Sequence, residues 1–384
     1  MTENNFLKLI SQFQIKEKPI NIFPFGSGHI NDTYKVETNG KNYLLQRINH
    51  EVFQNVEGLT ENFIKVTDHL NKKLAESNSG QEITKQGCKS VHARLEKSKS
   101  DSGQETFKLL PTQTGAYFTK DKNGNYWRLM NFIDKSVSYD LVENKTIAYE
   151  GGKAYGDFVK MLSDFPADTL VETIPKFHDI NFRLDNFQNA IKNDSSGRVA
   201  GSQIEITFIE KRAEEMKQII RLGTEGKIPL RVTHNDTKIN NVLFNKAGKG
   251  ICVIDLDTVM PGYIHYDFGD SIRTFTNTAD EDEPDLSKVS MNPEYYASFA
   301  KGFLQETKAI LNEEEIRTLA FSAKLMTFII GLRFFTDYLE RDVYYKTKYP
   351  KHNLIRAKVQ FKLLESMEKQ FSFMQDCVNN SSDD

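Results

Sequence analysis

The sequence predicts an α+β chain in two lobes: a small N-terminal lobe with an antiparallel sheet and a helix, and a larger, mainly helical C-terminal lobe. Short apolar runs separated by glycine and asparagine turns fill the first third, whereas apolar residues recur at helical spacing from Ala148 onward. The length of 384 residues suits two lobes with separate cores. We place the division between residues 1–133 and residues 134–384.

Charge and cysteine content exclude several classes of function. With 50 basic and 53 acidic residues the net charge is -3, so nothing indicates nucleic-acid binding, and small solutes are the expected partners. Three scattered cysteines cannot build a disulfide framework or a zinc site. We see no signal peptide and no uninterrupted apolar stretch of about 18 residues, so we expect a cytoplasmic protein that does not bind membranes. The oligomeric state stays open, with a monomer slightly favoured.

The N-terminal lobe opens with a predicted hairpin. Residues 20–25 and 33–37 form its strands, and the turn between them contains Gly26 and Gly28, which would let backbone N–H groups approach phosphate oxygens. Asn31 occupies the position at which a phosphate-binding Gly-x-Gly-x-x-Gly loop has its third glycine.

A third strand and a helix follow. The strand, residues 41–48, carries Arg47, which we expect to grip a phosphate through two parallel hydrogen bonds. Apolar residues at helical spacing between residues 59 and 70 predict a helix that packs on the sheet. This helix offers Glu57 or Glu61 as an ion-pair partner for Arg47, and the sequence does not decide between them.

The lobe ends in a second hairpin and a hinge. Residues 77–105 are rich in Ser, Lys, Gln and Gly and predict a solvated connection around short strands. Residues 121–125 predict a hairpin turn. The strand beyond it, residues 126–130, runs into residues 131–134, the expected hinge between the lobes.

The most informative stretch is residues 233–244. His234, Asp236 and Asn241 have the spacing of a kinase catalytic loop, in which an aspartate accepts the proton of the substrate hydroxyl and an asparagine five residues later binds Mg²⁺. Lys238 can reach the transferring phosphate from the same loop, and His234 is expected to brace it. The spacing predicts a phosphotransferase site with Asp236 and Lys238 at its centre.

A second metal ligand follows downstream. Apolar residues 242–244 and 251–254 flank a polar turn and predict a hairpin whose return strand ends at Asp255. Asp255 would then lie beside Asn241, and their two oxygen ligands could hold Mg²⁺ against nucleotide phosphates. Asp257 stays open as a second metal ligand or a supporting residue.

The triplet Asp267–Gly269 looks like the kinase metal motif, but it follows a loop and not a strand that returns to the catalytic loop. We therefore assign the metal to Asp255. We expect Asp267 and Asp270 to cap a helix around Ser271 or to tie that helix to the catalytic loop.

The cofactor that these motifs predict is ATP bound with Mg²⁺. Adenine would stack against Met130 and Phe132 at the hinge and hydrogen-bond their backbone neighbours. A late apolar stripe over residues 319–334 predicts a core helix. Arg333 interrupts this stripe, and an arginine within an apolar helix needs a partner or an opening to water.

Together these residues resemble the aminoglycoside phosphotransferase and choline kinase superfamily, and within it the N-acetylhexosamine 1-kinases. The likeness runs from about residue 20 to residue 345 and rests on residues 28–34, 45–49, 127–128, 177–179, 234–238, 255–261 and 333–339. It implies a two-lobed protein-kinase-like fold.

The resemblance also implies a function: ATP-dependent phosphorylation of the anomeric hydroxyl of N-acetylglucosamine or N-acetylgalactosamine to the sugar 1-phosphate. By the same likeness, the positions expected around the sugar are His29, Asp236, Lys238, Arg333 and Tyr344. Two alternatives stay open: a kinase for another hydroxylated metabolite such as an aminoglycoside, choline or homoserine, and a catalytically silent nucleotide-binding scaffold. The sequence does not decide which N-acetylhexosamine is preferred or whether the acetamido group is required.

Overall fold

The computed structural model describes residues 3–26, 30–85 and 107–380. The chain folds as two compact units. Unit 1 comprises Met1–Val137 and Leu243–Asp257, and unit 2 comprises Ser138–Val242 and Thr258–Asp384. The predicted α+β class is confirmed, because unit 1 contains an antiparallel sheet and unit 2 is mainly helical.

The strands are short, and most of them belong to unit 1. Their bounds are β1 (Pro19–Pro24), β2 (Asp32–Thr38), β3 (Tyr43–Ile48), β4 (Thr119–Lys120), β5 (Tyr126–Asn131), β6 (Arg231–Thr233), β7 (Val242–Phe244), β8 (Gly250–Val253) and β9 (Met260–Gly262). The helices are α1 (Glu3–Ile10), α2 (Val56–Lys85), α3 (Lys145–Met161), α4 (Ile180–Asn193), α5 (Gln203–Glu210), α6 (Gln218–Thr224), α7 (Ile264–Phe275), α8 (Pro293–Thr307), α9 (Glu313–Leu339), α10 (His352–Lys369) and α11 (Phe371–Asn380).

Five strands of unit 1 form one antiparallel sheet in the order β1-β2-β3-β5-β4. This confirms the first predicted hairpin, the third strand and the hairpin turn at residues 121–125. In that turn, Asp121 Oδ1 accepts hydrogen bonds from the N–H groups of Asn123 (2.8 Å) and Asn125 (3.0 Å). The predicted β7–β8 hairpin is also present, with its return strand ending at Val253. Val137 and Phe244 exchange backbone hydrogen bonds of 2.8 Å, which ties this hairpin into unit 1.

The sheet of unit 1 has two chemically different faces. The register pairs Arg47 with Trp127 and Gln46 with Arg128. Because side chains alternate along a strand, these two pairs point to opposite faces. The face with Trp127 packs against α1 in an apolar cluster. The face with Arg128 meets α2, where the ring centroid of Phe63 lies 5.3 Å from the guanidinium carbon. Gln46 and Arg128, and not Arg47, therefore point toward α2.

Helix α9 is the central helix of unit 2 and packs against α4, α7 and α10. It begins with a capping box, in which Asn312 and Glu315 each accept a hydrogen bond of 2.8 Å from the backbone N–H of the other. By length and composition α9 could span a membrane, but 94% of its apolar segment is buried inside the protein. Burial on all sides explains its apolar sequence and confirms the predicted core helix.

Two expectations about local structure are wrong. The sequence predicts a connection with short strands from residue 77, whereas α2 continues to Lys85. The rest of that segment, residues 86–106, lies outside the described residues. The sequence also allows Asp267 and Asp270 to cap a helix around Ser271, whereas α7 begins at Ile264 and contains both.

Candidate active site

The catalytic loop, residues 234–238, connects β6 to a 3₁₀ turn at Ile239–Asn241 in unit 2. Asp267 on α7 holds the backbone of this loop: its Oδ2 accepts a hydrogen bond from the N–H of His234 (2.8 Å), and its Oδ1 accepts one from the N–H of Asn235 (2.7 Å). The Thr237 hydroxyl donates to the carbonyl of Asp267 (2.7 Å). Of the two roles open for Asp267, the structure therefore shows the tie to the catalytic loop.

Asp270 supports the same loop from the next turn of α7. It accepts a hydrogen bond from the N–H of Thr237 (3.1 Å) and forms an ion pair with Arg273 at 2.7 Å. Burial raises the pKa of the Asp267 carboxyl to about 6, although the two backbone N–H donors act to lower it. The carboxylates of Asp267 and Asp270 therefore both brace the catalytic loop.

Asn235 adopts a left-handed backbone conformation with φ of 64°. Such a conformation costs about 1–2 kcal/mol for most residues, and asparagine tolerates it better than most. The Asn235 side-chain amide donates to the carbonyls of Thr233 (3.1 Å) and Thr258 (3.0 Å) and so holds the turn. Gly262 is required beside it, because a Cβ there would lie 2.3 Å from Thr233 Oγ1.

His234 is fully buried and matches the predicted bracing role. Its ring lies 5.8 Å from the rings of Tyr155 and Phe158 in edge-to-face arrangements, and its Nδ1 accepts a hydrogen bond from the N–H of Asp236 (3.3 Å). The Tyr155 hydroxyl donates to the carbonyl of Lys238 (2.7 Å). Two sides of the loop are thus fixed by aromatic residues of α3.

Asp236 and Lys238 form an ion pair at the exposed side of this loop. Lys238 Nζ lies 3.0 Å from Asp236 Oδ2, and the two side chains are 37% and 26% exposed, Lys238 being the more exposed. Burial acts to raise the pKa of Asp236, but the positive charge of Lys238 and its hydrogen bond to the carboxylate outweigh it, and the pKa is lowered. Asp236 is therefore ionised at neutral pH and able to accept a proton.

Asn241 is oriented by Asp236. Its Nδ2 donates to the Asp236 carbonyl (2.8 Å) and to Asp236 Oδ2 (3.2 Å), which leaves the amide oxygen as the atom that can bind a metal. Asp255, in unit 1, follows β8 in a left-handed conformation with φ of 62°. Amide and carboxylate oxygens are ligands that Mg²⁺ accepts. Across residues 3–26, 30–85 and 107–380 no group of three or more His, Cys, Asp or Glu is placed to hold a metal.

Asp257 is engaged by the protein. It is 2% exposed, lies 2.7 Å from the Arg128 guanidinium and accepts a 2.7 Å hydrogen bond from the Asn31 amide. Asn31 Oδ1 in turn accepts from the N–H of Asn49 (2.9 Å). Of the two roles open for Asp257, these contacts favour the supporting one. Asn31, in place of a third glycine, anchors the end of the glycine turn.

Arg128 of unit 1 lies in a buried polar network that the sequence analysis does not predict. Its Nε donates to Gln46 Oε1 (2.9 Å), and Gln46 Nε2 donates to Thr33 Oγ1 (2.9 Å). The sequence contained a signal for the face on which Arg128 lies. Arg128 and Met130 are two residues apart on one strand, so their side chains must point to the same face of the sheet. Arg128, Gln46, Asp257 and Asn31 thus form one buried polar network, which we call the Arg128 network.

Arg47 differs from its prediction. Its guanidinium pairs with Asp32 and donates to Asn125 Oδ1 (3.3 Å), so the expected ion pair with Glu57 or Glu61 is wrong. The reason is strand parity: Arg47 points to the face opposite α2, where Asp32 is its cross-strand neighbour. The sequence predicts that Arg47 binds a phosphate. Its position on the face of the sheet opposite α2 and its ion pair with Asp32 both weigh against that role.

The predicted nucleotide contacts are only partly described. Gly26 has φ of +80°, a conformation that a tight glycine turn permits, while Gly28 and His29 lie outside the described residues. The ring of Phe132 contacts Phe25 at 5.5 Å and has Lys35 Nζ 4.8 Å from its centroid. The N–H of Phe132 donates to the Asn42 carbonyl, and that of Asn131 to the Lys108 carbonyl, so those two donors are already used.

A pocket of unit 2 brings together two of the residues expected around the sugar, Arg333 and Tyr344. Arg183 of α4, which carries no sequence motif, lines the same pocket. Next to these residues, His178 Nε2 donates to the carbonyl of Asn235 (2.9 Å), and burial lowers the pKa of His178 to about 3. The charges of Arg333, Arg183 and Asp236 all act on this ring, so His178 lies within electrostatic reach of both the pocket and the catalytic base.

Comparison with known proteins supports the interpretation of this site as that of a phosphotransferase. The family described as APH, the phosphotransferase enzyme family, matches residues 21–308, which is three quarters of the chain. The match includes the catalytic loop, Asn241 and Asp255, and ends before Arg333.

Solved structures share the fold at low sequence identity. A choline kinase from Cryptosporidium parvum Iowa II is similar over 99% of this chain and 99% of that chain, with a TM-score of 0.57 and 13% identity. A spectinomycin phosphotransferase, solved in complex with ADP and spectinomycin, is similar over 98% of this chain and 99% of that chain, with a TM-score of 0.55 and 13% identity. An ethanolamine kinase from Plasmodium vivax is similar over 88% of this chain and 82% of that chain, with a TM-score of 0.53 and 14% identity. These similarities confirm the kinase-like fold.

Proposed function

The chain belongs to the phosphotransferase enzyme family, and from this premise we propose that it is an ATP-dependent kinase that phosphorylates the anomeric hydroxyl of an N-acetylhexosamine. The catalytic loop carries the proposal, because Asp236 contacts both Lys238 and Asn241, and the three residues have the sequence spacing of a phosphotransferase loop. The sugar acceptor is supported by the resemblance to N-acetylhexosamine 1-kinases and by the pocket that contains Arg333 and Tyr344.

In this mechanism Asp236 holds the acceptor hydroxyl and takes its proton. The acceptor oxygen forms a bond to the γ-phosphorus of ATP, and the bond from that phosphorus to the bridging oxygen of ADP breaks. A carboxylate with a lowered pKa is a weak base, so its main contribution is to hold the hydroxyl in line for attack. Lys238, 3.0 Å from Asp236, offsets negative charge on the transferring group.

We propose Asn241 and Asp255 as the Mg²⁺ ligands. When bound, Mg²⁺ neutralises charge on the phosphates, and ATP supplies the phosphoryl group. The hydrogen bonds from Asn241 Nδ2 to Asp236 preset the amide oxygen for this purpose. Asp257 is not in the proposed ligand set, because its buried carboxylate pairs with the Arg128 guanidinium at 2.7 Å and accepts a hydrogen bond from Asn31.

The nucleotide site is proposed on the α2 face of the unit 1 sheet, with Gly26 and Gly28 near the phosphates and Met130 and Phe132 near adenine. Met130 shares this face with Arg128. Arg47 has no role in this proposal. The cytoplasmic location, the monomeric state and the lobe boundary between residues 133 and 134 remain predictions from the sequence, as does the place of His29 beside the sugar.

Aminoglycosides, choline and homoserine stay open as acceptors, because the pocket is lined by two arginines, Arg183 and Arg333, and by two carboxylates, Asp337 and Glu340. A catalytically silent scaffold is the remaining alternative. The contacts of Asp236, Lys238 and Asn241 weigh against the scaffold.

The first prediction tests the catalytic base. Asp236→Asn should retain ATP binding and lower kcat by about 10²–10⁴, because proton transfer and in-line positioning are both lost. ATP consumption is measured with N-acetylglucosamine, N-acetylgalactosamine, galactose and homoserine, and phosphorus NMR of the product shows coupling to the anomeric proton if the anomeric hydroxyl is phosphorylated. Asp185→Asn, an exposed aspartate of unit 2, is the control.

Three outcomes would contradict parts of this proposal. Unchanged turnover by Asp236→Asn would remove Asp236 as the base. A product without anomeric coupling would remove the sugar 1-kinase assignment. ATP binding by the wild-type protein without turnover of any acceptor would favour the scaffold.

A further inference from the structure

One pocket of unit 2 contains two arginines. It has a volume of about 130 Å³, and its lining includes Arg183 from α4, Arg333 from α9 and Tyr344 and Tyr345 from the segment after α9. Two fixed positive charges in one small pocket are unfavourable without a compensating group.

Arg333 is stacked on aromatic rings and has no ion pair. Its guanidinium carbon lies 4.8 Å from the ring centroid of Phe177, 5.9 Å from that of Tyr344 and 5.7 Å from that of Tyr345. Within the described ranges 3–26, 30–85 and 107–380, no carboxylate lies within ion-pair distance of it and no group accepts a hydrogen bond from it. The rings hold the guanidinium in place and leave its N–H donors for a ligand.

Arg183 is half-buried, and its only acceptor in the described part of the chain is neutral. Its Nε and Nη2 both donate to the carbonyl of Phe177, at 3.2 Å and 2.7 Å. Burial and, after it, the charge of Arg333 lower the pKa of Arg183 to about 10. A carbonyl orients the guanidinium without neutralising it, so the two arginines repel each other unless an anion lies near both.

The carboxylates that line the pocket do not supply that anion. Asp337 accepts hydrogen bonds from the N–H groups of Tyr344 (2.8 Å) and Tyr345 (3.0 Å) and from Asn353 Nδ2 (2.8 Å), so its oxygens hold the segment after α9. Burial raises the pKa of Asp337 and of Glu340. Neither forms an ion pair with Arg183 or Arg333.

We propose that the acceptor carries an anionic oxygen group, a carboxylate or a phosphate ester, and that Arg183 and Arg333 bind it. This inference rests on the proposed function of the catalytic loop and names the acceptor class more narrowly. An acetamido carbonyl could accept hydrogen bonds from one guanidinium, but it would supply no anion within ion-pair distance of either arginine. Arginine is the side chain best suited to bind carboxylate and phosphate oxygens in pairs.

His178 has contacts toward both the pocket and the catalytic loop. It donates to the carbonyl of Asn235, the residue before Asp236, and the charges of Arg333 and Asp236 both act on its ring. In this proposal the acceptor places its anionic group at the arginines and a hydroxyl at Asp236.

The experiment compares three acceptors that differ only in the group at carbon 6: N-acetylglucosamine, its 6-phosphate and the corresponding 6-uronic acid. We expect kcat/KM to be about 10- to 100-fold higher for a charged acceptor than for the parent sugar. The charged acceptor with the higher kcat/KM shows whether the arginines bind a phosphate or a carboxylate. Arg183→Gln and Arg333→Gln should abolish the preference, whereas the exposed control Arg221→Gln should keep it.

Turnover of the parent sugar equal to that of both charged acceptors, or an equal loss for all three in the arginine variants, would overturn the inference. Titration calorimetry with N-acetylglucosamine 6-phosphate separates this failure from failure of the proposed function. If no acceptor is turned over, the anion pocket is still supported when the wild type binds the 6-phosphate and Arg183→Gln and Arg333→Gln do not. The anion pocket is ruled out when the variants bind as well as the wild type, or when the wild type does not bind. Arg333→Lys, which keeps the charge, should retain part of the preference and covers the case in which Arg333→Gln does not fold.

Discussion

Arg128 in unit 1 and Arg333 in unit 2 are both arginines among apolar neighbours, yet their partners differ. Arg128 is 2% exposed, lies 2.7 Å from the equally buried Asp257 and donates to Gln46. Arg333 has three aromatic rings around it and, in the described part of the chain, no carboxylate within ion-pair distance. Both also have an aromatic contact, since Phe63 lies against Arg128.

The difference separates a structural arginine from one that is available to a ligand. A buried cation is tolerated when a fixed anion and hydrogen bonds compensate it, and then it specifies one arrangement of the chain. The Arg128 network does this for the glycine turn through Asn31. A cation that is held by rings but not neutralised keeps its capacity to bind an anion. A charged side chain without a paired ion of opposite charge is common at functional sites.

The largest effect is expected where the pair in unit 1 is broken. Arg128→Met should lower the free energy of unfolding by about 3–5 kcal/mol, because it leaves the Asp257 carboxylate buried without its counterion. Arg47→Met is the matched control on the same sheet. Its ion pair with Asp32 is about half exposed, so its loss should cost about 0–1 kcal/mol. Urea unfolding of both variants measures the contrast.

The double variant Arg128→Met/Asp257→Leu sharpens this result. Removing both charges should recover most of the lost stability, because an apolar pair of similar volume has no desolvation penalty. If Arg128→Met alone is as stable as the wild type, the ion pair is not structural and the comparison with Arg333 fails.

Sequence reasoning found the parts of the site that are contiguous in the chain. Asp236, Lys238 and Asn241 lie within one loop, so their spacing alone predicts their proximity. The first hairpin could be predicted because its turn residues and alternating strands are local signals. Contacts that depend on strand register were not found. Arg47 and Arg128 occupy paired strands, and only the register shows that they point to opposite faces.

Long-range partners were also beyond the sequence. Arg183 on α4 and Arg333 on α9 share a pocket because of helix packing, and nothing in the residues around Arg183 indicates it. The sequence leaves two roles open for Asp267, and the tie to the catalytic loop is one of them. It cannot decide between them, because the partners of Asp267 are backbone N–H groups, which every residue except proline has. The role of Asp257 depended in the same way on Arg128 and Asn31, which are remote in sequence.

A pH dependence of intermediate size is expected from His178, the residue between the arginine pocket and the catalytic loop. Its pKa in the folded protein is lowered to about 3, whereas the unfolded chain has the ordinary value of 6.5. The unfolded state therefore binds a proton that the folded state does not, and stability is lost as the pH falls from 6.5 toward 3, by about 1.4 kcal/mol per pH unit. His178→Gln can still donate to the Asn235 carbonyl but has no such dependence.

The measurement is urea unfolding of the wild type and His178→Gln at pH 7, 6 and 5. The stability difference should shift in favour of the variant by about 2 kcal/mol between pH 7 and pH 5. His265 also has a pKa lowered to about 3 by burial, but it is present in both proteins and cancels in the difference. Parallel pH curves for the two proteins would mean that His178 is protonated in the folded state, and that the arginines do not act on it as described.

The smallest effect is expected at the unpaired arginine itself. Arg333→Met removes no ion pair and no hydrogen bond within the described residues, and the lost ring contacts are offset by relief of repulsion with Arg183, so the free energy of unfolding should change by less than about 1 kcal/mol. Arg231→Met is the control in the same unit: Arg231 pairs with the buried Glu315 at 2.7 Å, and its loss should cost about 3 kcal/mol. Equal losses in the two variants would show that Arg333 stabilises the fold as Arg231 does. In that case the pocket would have no free cation to offer an anionic acceptor, and the distinction between the two kinds of arginine would not hold.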